Sequence, residues 1–128
     1  LCGSGFSTIL YLLGFEIGSA YLRDQWGYVG DDIRALFRVS EAFFRQSGFG
    51  VLRWVDVDLV GGFISCDVFD SFECAELDAN ESGSQFIRGI LSGWVSGVLD
   101  VKVTGVETMC VSRGDPHCHF VFKRSKVD

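Results

Sequence analysis

The apolar residues of this chain change period along its length, and that change constrains the fold more than any other feature. From residue 5 to 25, Phe6, Ile9, Leu10, Leu13, Ile17 and Tyr21 recur at the spacing of one helix face. From 31 to 47, Ile33, Leu36, Phe37, Ser40, Phe43 and Phe44 form a second such stripe. Asp31 or Asp32 is placed to cap its start and Gly48 to stop it. The period then falls to two. Val51 to Asp58 and Phe63 to Phe69 alternate, with Gly61-Gly62 between them as a hairpin turn. Helical spacing returns over residues 84 to 99, through Phe86, Ile87, Ile90, Leu91, Trp94, Val95 and Val98. The chain closes on alternation from Val101 to Val111 and from Cys118 to Phe122, joined by the turn Arg113-Gly114-Asp115-Pro116. Residues 25 to 30 read as a loop, and 70 to 83 as irregular chain with one helical turn near Glu73 to Leu77. Hairpin-linked strands pair antiparallel. The order helix, helix, strand, strand, helix, strand, strand therefore predicts a single α+β domain over residues 1–128, a two-layer arrangement of antiparallel sheet and packed helices.

Two glycine patterns sharpen this. Gly14 and Gly18 lie one turn apart on the first helix, and Gly89, Gly93 and Gly97 repeat every four residues on the third. Each interior glycine costs a helix about 1 kcal/mol against alanine. Such a series is expected where another backbone packs closely or where a ligand needs room.

Charge and cysteine usage exclude several roles. A net charge of -6, with a basic cluster only at Lys123, Arg124 and Lys126, opposes direct binding to nucleic acid or to an anionic membrane. The apolar run Ile9 to Leu13 is interrupted by Glu16 and Arg23, short of a membrane span. Five cysteines without a regular framework argue against a disulfide scaffold, and cytoplasmic, reduced thiols are expected. The chain begins at Leu1 rather than Met, so upstream residues are expected. Its 12 Phe, 3 Trp and 3 Tyr suit either a core or a pocket for a flat apolar molecule.

The chemistry concentrates in Glu107-Thr-Met-Cys110-Val-Ser-Arg-Gly114-Asp-Pro-His-Cys118. On a regular strand Glu107 and Cys110 point to opposite faces; a bulge at Met109 would let them converge. The turn at Gly114 and Pro116 would return Cys118 beside Cys110. Two thiolates and a carboxylate suit zinc. Buried cysteines that bind nothing are the plain alternative. His117 and His119 flank Cys118 and are expected together on the opposite face, in a supporting or surface role. Asp56, Asp58, Asp67 and Asp70 form an acidic set on paired strands, expected to be solvated. No catalytic residue is assigned: Cys118, His117 and Asp115 are chain neighbours, not groups converging from separate elements.

These residues resemble the 4-vinyl reductase, or hydrocarbon-binding, domain family. The resemblance runs through Leu-Gly14-Phe-Glu-Ile-Gly18, then Gly89-Ile-Leu-Ser-Gly93. It ends in Val106-Glu107-Thr-Met-Cys110 and Arg113-Gly114-Asp115-Pro116-His117-Cys118-His119-Phe120. It implies a ligand-binding α/β fold shared with sensory domains of aromatic-responsive activators and with vesicle-tethering subunits. In the phenol-sensing relatives a glutamate and three cysteines hold zinc beside the aromatic pocket. Glu107, Cys110 and Cys118 match three of these ligands; the fourth position falls at Ser84, and Cys74 is the candidate substitute. The resemblance further implies a small apolar or aromatic ligand, with Phe63, Phe86, Ile90 and Trp94 as candidate contacts, a homodimer, and an attached or separate output domain. Reduction of a tetrapyrrole vinyl group and an assembly scaffold are the alternative roles.

Overall fold

The computed structural model describes residues 3–75 and 84–125, with side chains over 5–73 and 84–125. Cys2, the Cys74 side chain, the end of the turn expected near Leu77, and Lys126 lie outside the described residues. Helices α1 (Gly3–Val29) and α2 (Ile33–Gln46) precede strands β1 (Val51–Asp58) and β2 (Phe63–Phe69). A short helix α3 (Phe72–Ala75), helix α4 (Gln85–Leu99), strand β3 (Val106–Met109), a 3-10 turn (Val111–Arg113) and strand β4 (Cys118–Lys123) complete the order. The strands form one antiparallel sheet in the order β1-β2-β4-β3. This is the α+β architecture expected from the change of period.

The sheet has one covered face. Leu52, Ile64, Cys66, Val68, Cys118, Phe120 and Phe122 are buried there beneath α4, whose Ile87, Leu91 and Val95 are also fully buried. Strand alternation sends Phe63, Asp67 and Phe69 of β2 and His117 and His119 flanking β4's first residue to the other face.

Helix α1 does not end at Tyr21 or Gln25. It runs to Val29, so the loop expected over 25 to 30 is helix for most of its length. Gln25 explains the extension: it is buried, and its Oε1 accepts a 2.8 Å hydrogen bond from Trp94 Nε1. That tertiary bond outweighs the helix-weakening Gly27. At 25 residues, Gly5–Val29 is long and apolar enough to cross a membrane by length and composition, so Glu16 and Arg23 do not shorten it as the sequence suggested. One face of it, however, is docked on α4. A methyl group on Gly14 would overlap the carbonyl oxygen of Phe86, and on Gly18 that of Ile90. Reciprocally, methyls on Gly89 and Gly93 would overlap the carbonyls of Tyr11 and Phe15. Four glycines thus let two helix backbones touch. The glycine series is a packing device, and the Gly14-Gly18 face is consumed inside the chain; it is not available as the subunit contact that the sequence suggested.

Helix α2 starts as expected, Asp32 Oδ1 accepting from the Ala35 N–H at 3.1 Å. The long strand expected over 101 to 111 is instead only four residues, Val106–Met109. The preceding segment lies along α4 and gives its hydrogen bonds to helix serines. Val103 N–H donates to Ser96 Oγ (2.9 Å) and Gly105 N–H to Ser92 Oγ (2.9 Å). With those groups satisfied by side chains, nothing draws 101–105 into the sheet.

Candidate metal centre and ligand cavity

Glu107, Cys110 and Cys118 meet. One ligand atom from each lies within 4.8 Å of the others. The convergence has two local causes. The β3–β4 register shifts between Glu107 and Met109, a bulge that removes the strict alternation separating Glu107 from Cys110. After Cys110 the chain enters the 3-10 turn, and Gly114, with φ +95, ends it in the left-handed region. The Asp115 carboxylate accepts from the Cys110 N–H at 2.8 Å and clamps the loop. Both thiols are fully buried and Glu107 is half-buried.

Ser84 completes the cluster. It is buried, its N–H donates to Glu107 Oε1 (3.0 Å) and its hydroxyl to Oε2 (2.7 Å). Its Oγ also lies 3.8 Å from Cys118 Sγ. Ser84 precedes α4, yet its side chain makes no cap bond, because the hydroxyl is spent on Glu107. The cap is supplied by Glu73 of α3, whose carboxylate oxygens accept from the Phe86 and Ile87 N–H groups at 2.8 and 2.9 Å. A capping residue so far from the helix in sequence left no local signal. Cys110 Sγ pairs with Ser112 Oγ at 2.9 Å. The donor types gathered here, thiol and carboxylate, are those zinc accepts. Helix α3, which carries Cys74, packs against the 3-10 turn that follows Cys110.

The aromatic residues form a cavity between α1, α2, α4 and β1. It is walled by Tyr21, Phe43, Phe44, Phe49, Trp54 and Trp94, with Ile90 beneath and Gln25 and Ser40 as the polar members. Trp54 stacks on Trp94 at a 5.0 Å centroid separation, and Phe37 abuts both. Trp54 Nε1 donates to Ser40 Oγ (2.9 Å), so both buried indoles are satisfied. The space between these side chains is about 20 Å³, room for about one water. Of the expected contacts, Ile90 and Trp94 line this cavity. Phe86 lies further along α4 in a separate ring cluster with Phe49 and Phe72. Phe63 lies on the far face of the sheet, because the buried alternate in β2 is Ile64. The sequence did not single out Gln25 or Phe49; their role depends on where α1 and the α2–β1 turn pack.

Cys66 does not join the cluster. Burial, with a smaller contribution from the Asp67 charge, pushes its thiol well above the usual pKa, so it is a neutral core group. The acidic set does not act as a unit: Asp56 accepts from Ser65 Oγ (3.4 Å), Asp58 from the Gly61 N–H (2.9 Å), and Asp67 faces the two histidines.

Helices on one face of a four-stranded antiparallel sheet, an aromatic cavity between the layers, and a carboxylate–thiol cluster at one end define an α+β domain with an enclosed interior site. The particular family is that of the 4-vinyl reductase domain, whose family model matches residues 64–124, from β2 through β4. The fold is also that of three solved structures. One is the phenol-responsive sensory domain of the transcription activator PoxR with phenol, at a TM-score of 0.77 and 17% identity, covering 91% of this chain and 63% of that one. A vinyl-4-reductase family protein from Methanocaldococcus jannaschii gives 0.68 and 22%, covering 91% of this chain and 68% of that one. A trafficking protein particle complex subunit 3 from Naegleria fowleri, covalently bound to palmitic acid, gives 0.61 and 12%, covering 96% and 82%. The chain thus spans less than two thirds of the PoxR domain. No curated protein matches it.

Proposed function

We propose that this chain is a ligand-binding sensory domain that takes a small apolar or aromatic molecule into the cavity between α4 and β1. The observation that carries the reading is the composition of that cavity: six aromatic rings and two polar side chains, Gln25 and Ser40, each engaged by an indole N–H. Such a lining suits a flat molecule with one polar group. The stacked indoles of Trp54 and Trp94 occupy the space a ligand needs, so entry requires them to part. The phenol named with the PoxR domain and the palmitic acid of the tethering subunit supply two probes of different shape. Titration with phenol, an alkylphenol and palmitate, followed by tryptophan fluorescence and thermal shift, tests this. Trp26 is exposed, so a saturable change reports on Trp54 and Trp94. No heat, no spectral change and no stabilisation with any probe would overturn the reading.

The same proposal includes a structural zinc ion held by Glu107, Cys110 and Cys118, with Cys74 as fourth ligand. The packing of α3 on the turn after Cys110 supports Cys74, and Ser84 in the cluster accounts for a departure from three cysteines plus glutamate. Bound there, zinc would tie α3, the start of α4 and the final hairpin together. It also includes a homodimer. With the Gly14-Gly18 face consumed, the supporting observation is the exposed apolar row Phe6, Ile9, Leu12 and Leu13 on the other side of α1.

A further inference from the structure

The outer face of the sheet carries a second cluster. His117 Nε2 and His119 Nδ1 lie 3.1 and 2.6 Å from the same oxygen, Asp67 Oδ1. We infer that Asp67, His117 and His119 form a binding site for a divalent first-row transition metal, distinct from the thiol cluster beneath the sheet. The backbone sets the arrangement. Asp67 pairs directly with His119 across β2 and β4, and His117, two residues earlier, shares its face. The Phe69 ring packs on the His117 imidazole at 4.7 Å and holds its plane. Ligand atoms bound at about 2.1 Å and about a right angle apart lie about 3 Å from each other, which is close to the observed separations. The three side chains are 19–22% exposed, so the remaining coordination positions open to water. Two imidazoles and one carboxylate with open positions suit zinc, nickel or ferrous iron. The net charge of -6 favours a cation, and Arg53, across the strand from Asp67, directs its guanidinium over Phe69.

The competing role is purely structural, both imidazoles simply hydrogen-bonding to Asp67. The two are separable because the chain has only two histidines. Zinc is titrated into the full chain while the imidazole nitrogens are followed by NMR and bound ions are counted by native mass spectrometry. A zinc-binding step that shifts His117 Nε2 and His119 Nδ1 together is expected, and it should persist in Cys118→Ser. Loss of a mere supporting partner weakens metal sites about 10–100-fold, so His119→Gln and Asp67→Asn should weaken this step at least about tenfold. Imidazole nitrogens that stay unmoved at saturating zinc, or variants that bind as tightly as the parent, overturn the site. The NMR measurement on the unaltered chain decides the matter even if a variant fails to fold. A thiol-dependent step seen without an imidazole step defeats this inference and leaves the structural zinc standing; the reverse result does the opposite.

Discussion

Helices α1 and α4 share one glycine-lined seam and have opposite fates on their other sides. Ile87, Ile90, Leu91, Trp94 and Val95 of α4 are all buried. On α1, Phe6, Ile9, Leu12 and Leu13 are 51–55% exposed, although they carry the same helical spacing. Periodicity identifies a face, and what covers the face is decided elsewhere. For α4 the sheet does so; for α1 no described element of the chain does.

The seam itself should be the most sensitive feature. Gly18→Leu or Gly93→Leu would drive a side chain into the opposing carbonyl, and a backbone atom cannot move aside as a flexible side chain can. We expect about 4 kcal/mol or more of destabilisation in urea unfolding. Even alanine at these positions should destabilise, despite a helix-propensity gain of about 1 kcal/mol. A neutral Gly18→Ala would show that the two helices separate readily.

On the buried side of α4, Trp94→Ala should cost about 3–5 kcal/mol through lost packing on Trp54 and Phe37. It also leaves the buried Gln25 amide without the indole donor. A bound phenol that restores part of the lost stability would place ligand in the vacated space.

At the start of α4, Ser84→Cys should split by metal content. Without zinc it loses the hydroxyl bond to the Glu107 carboxylate, a charge-assisted contact worth about 1.5–3 kcal/mol. With zinc the stability should return, and zinc affinity should exceed that of the parent, by chelator competition. Affinity should fall at low pH, because thiolates must be deprotonated to bind metal. Equal and negligible zinc binding by parent and variant would falsify the zinc site.

The smallest effect on the fold is expected on the exposed side of α1. Ile9→Glu with Leu13→Glu should change the unfolding free energy of a dilute sample by about 0.5 kcal/mol or less. If α1 is the subunit contact, the same pair should convert a dimer to monomer by light scattering. A monomeric parent would remove the dimer and leave the contrast between the helices unexplained by assembly.

The elements and their order were legible because helix and strand periods are local properties. Asp32, Gly48, Gly62 and Gly114 mark caps and turns by their own conformational preferences, and all four stand where such residues belong. The cluster of Glu107, Cys110 and Cys118 was legible for a similar reason: a turn of known chemistry links two short strands. Contacts distant in sequence were not. The Gln25–Trp94 bond spans 69 residues and extends a helix through a glycine. The Glu73 cap on α4 and the serine bonds that hold Val103 and Gly105 off the sheet have no local pattern. Phe63 was assigned inward although its neighbour Ile64 is the buried one, since alternation alone leaves open which face of a strand meets the helices. By itself the sequence determined the α+β order and brought the carboxylate and two thiols together. Only tertiary packing decided that Asp67 would meet both histidines on the open face, because pairing β2 with β4 is a choice of sheet order that no local preference encodes.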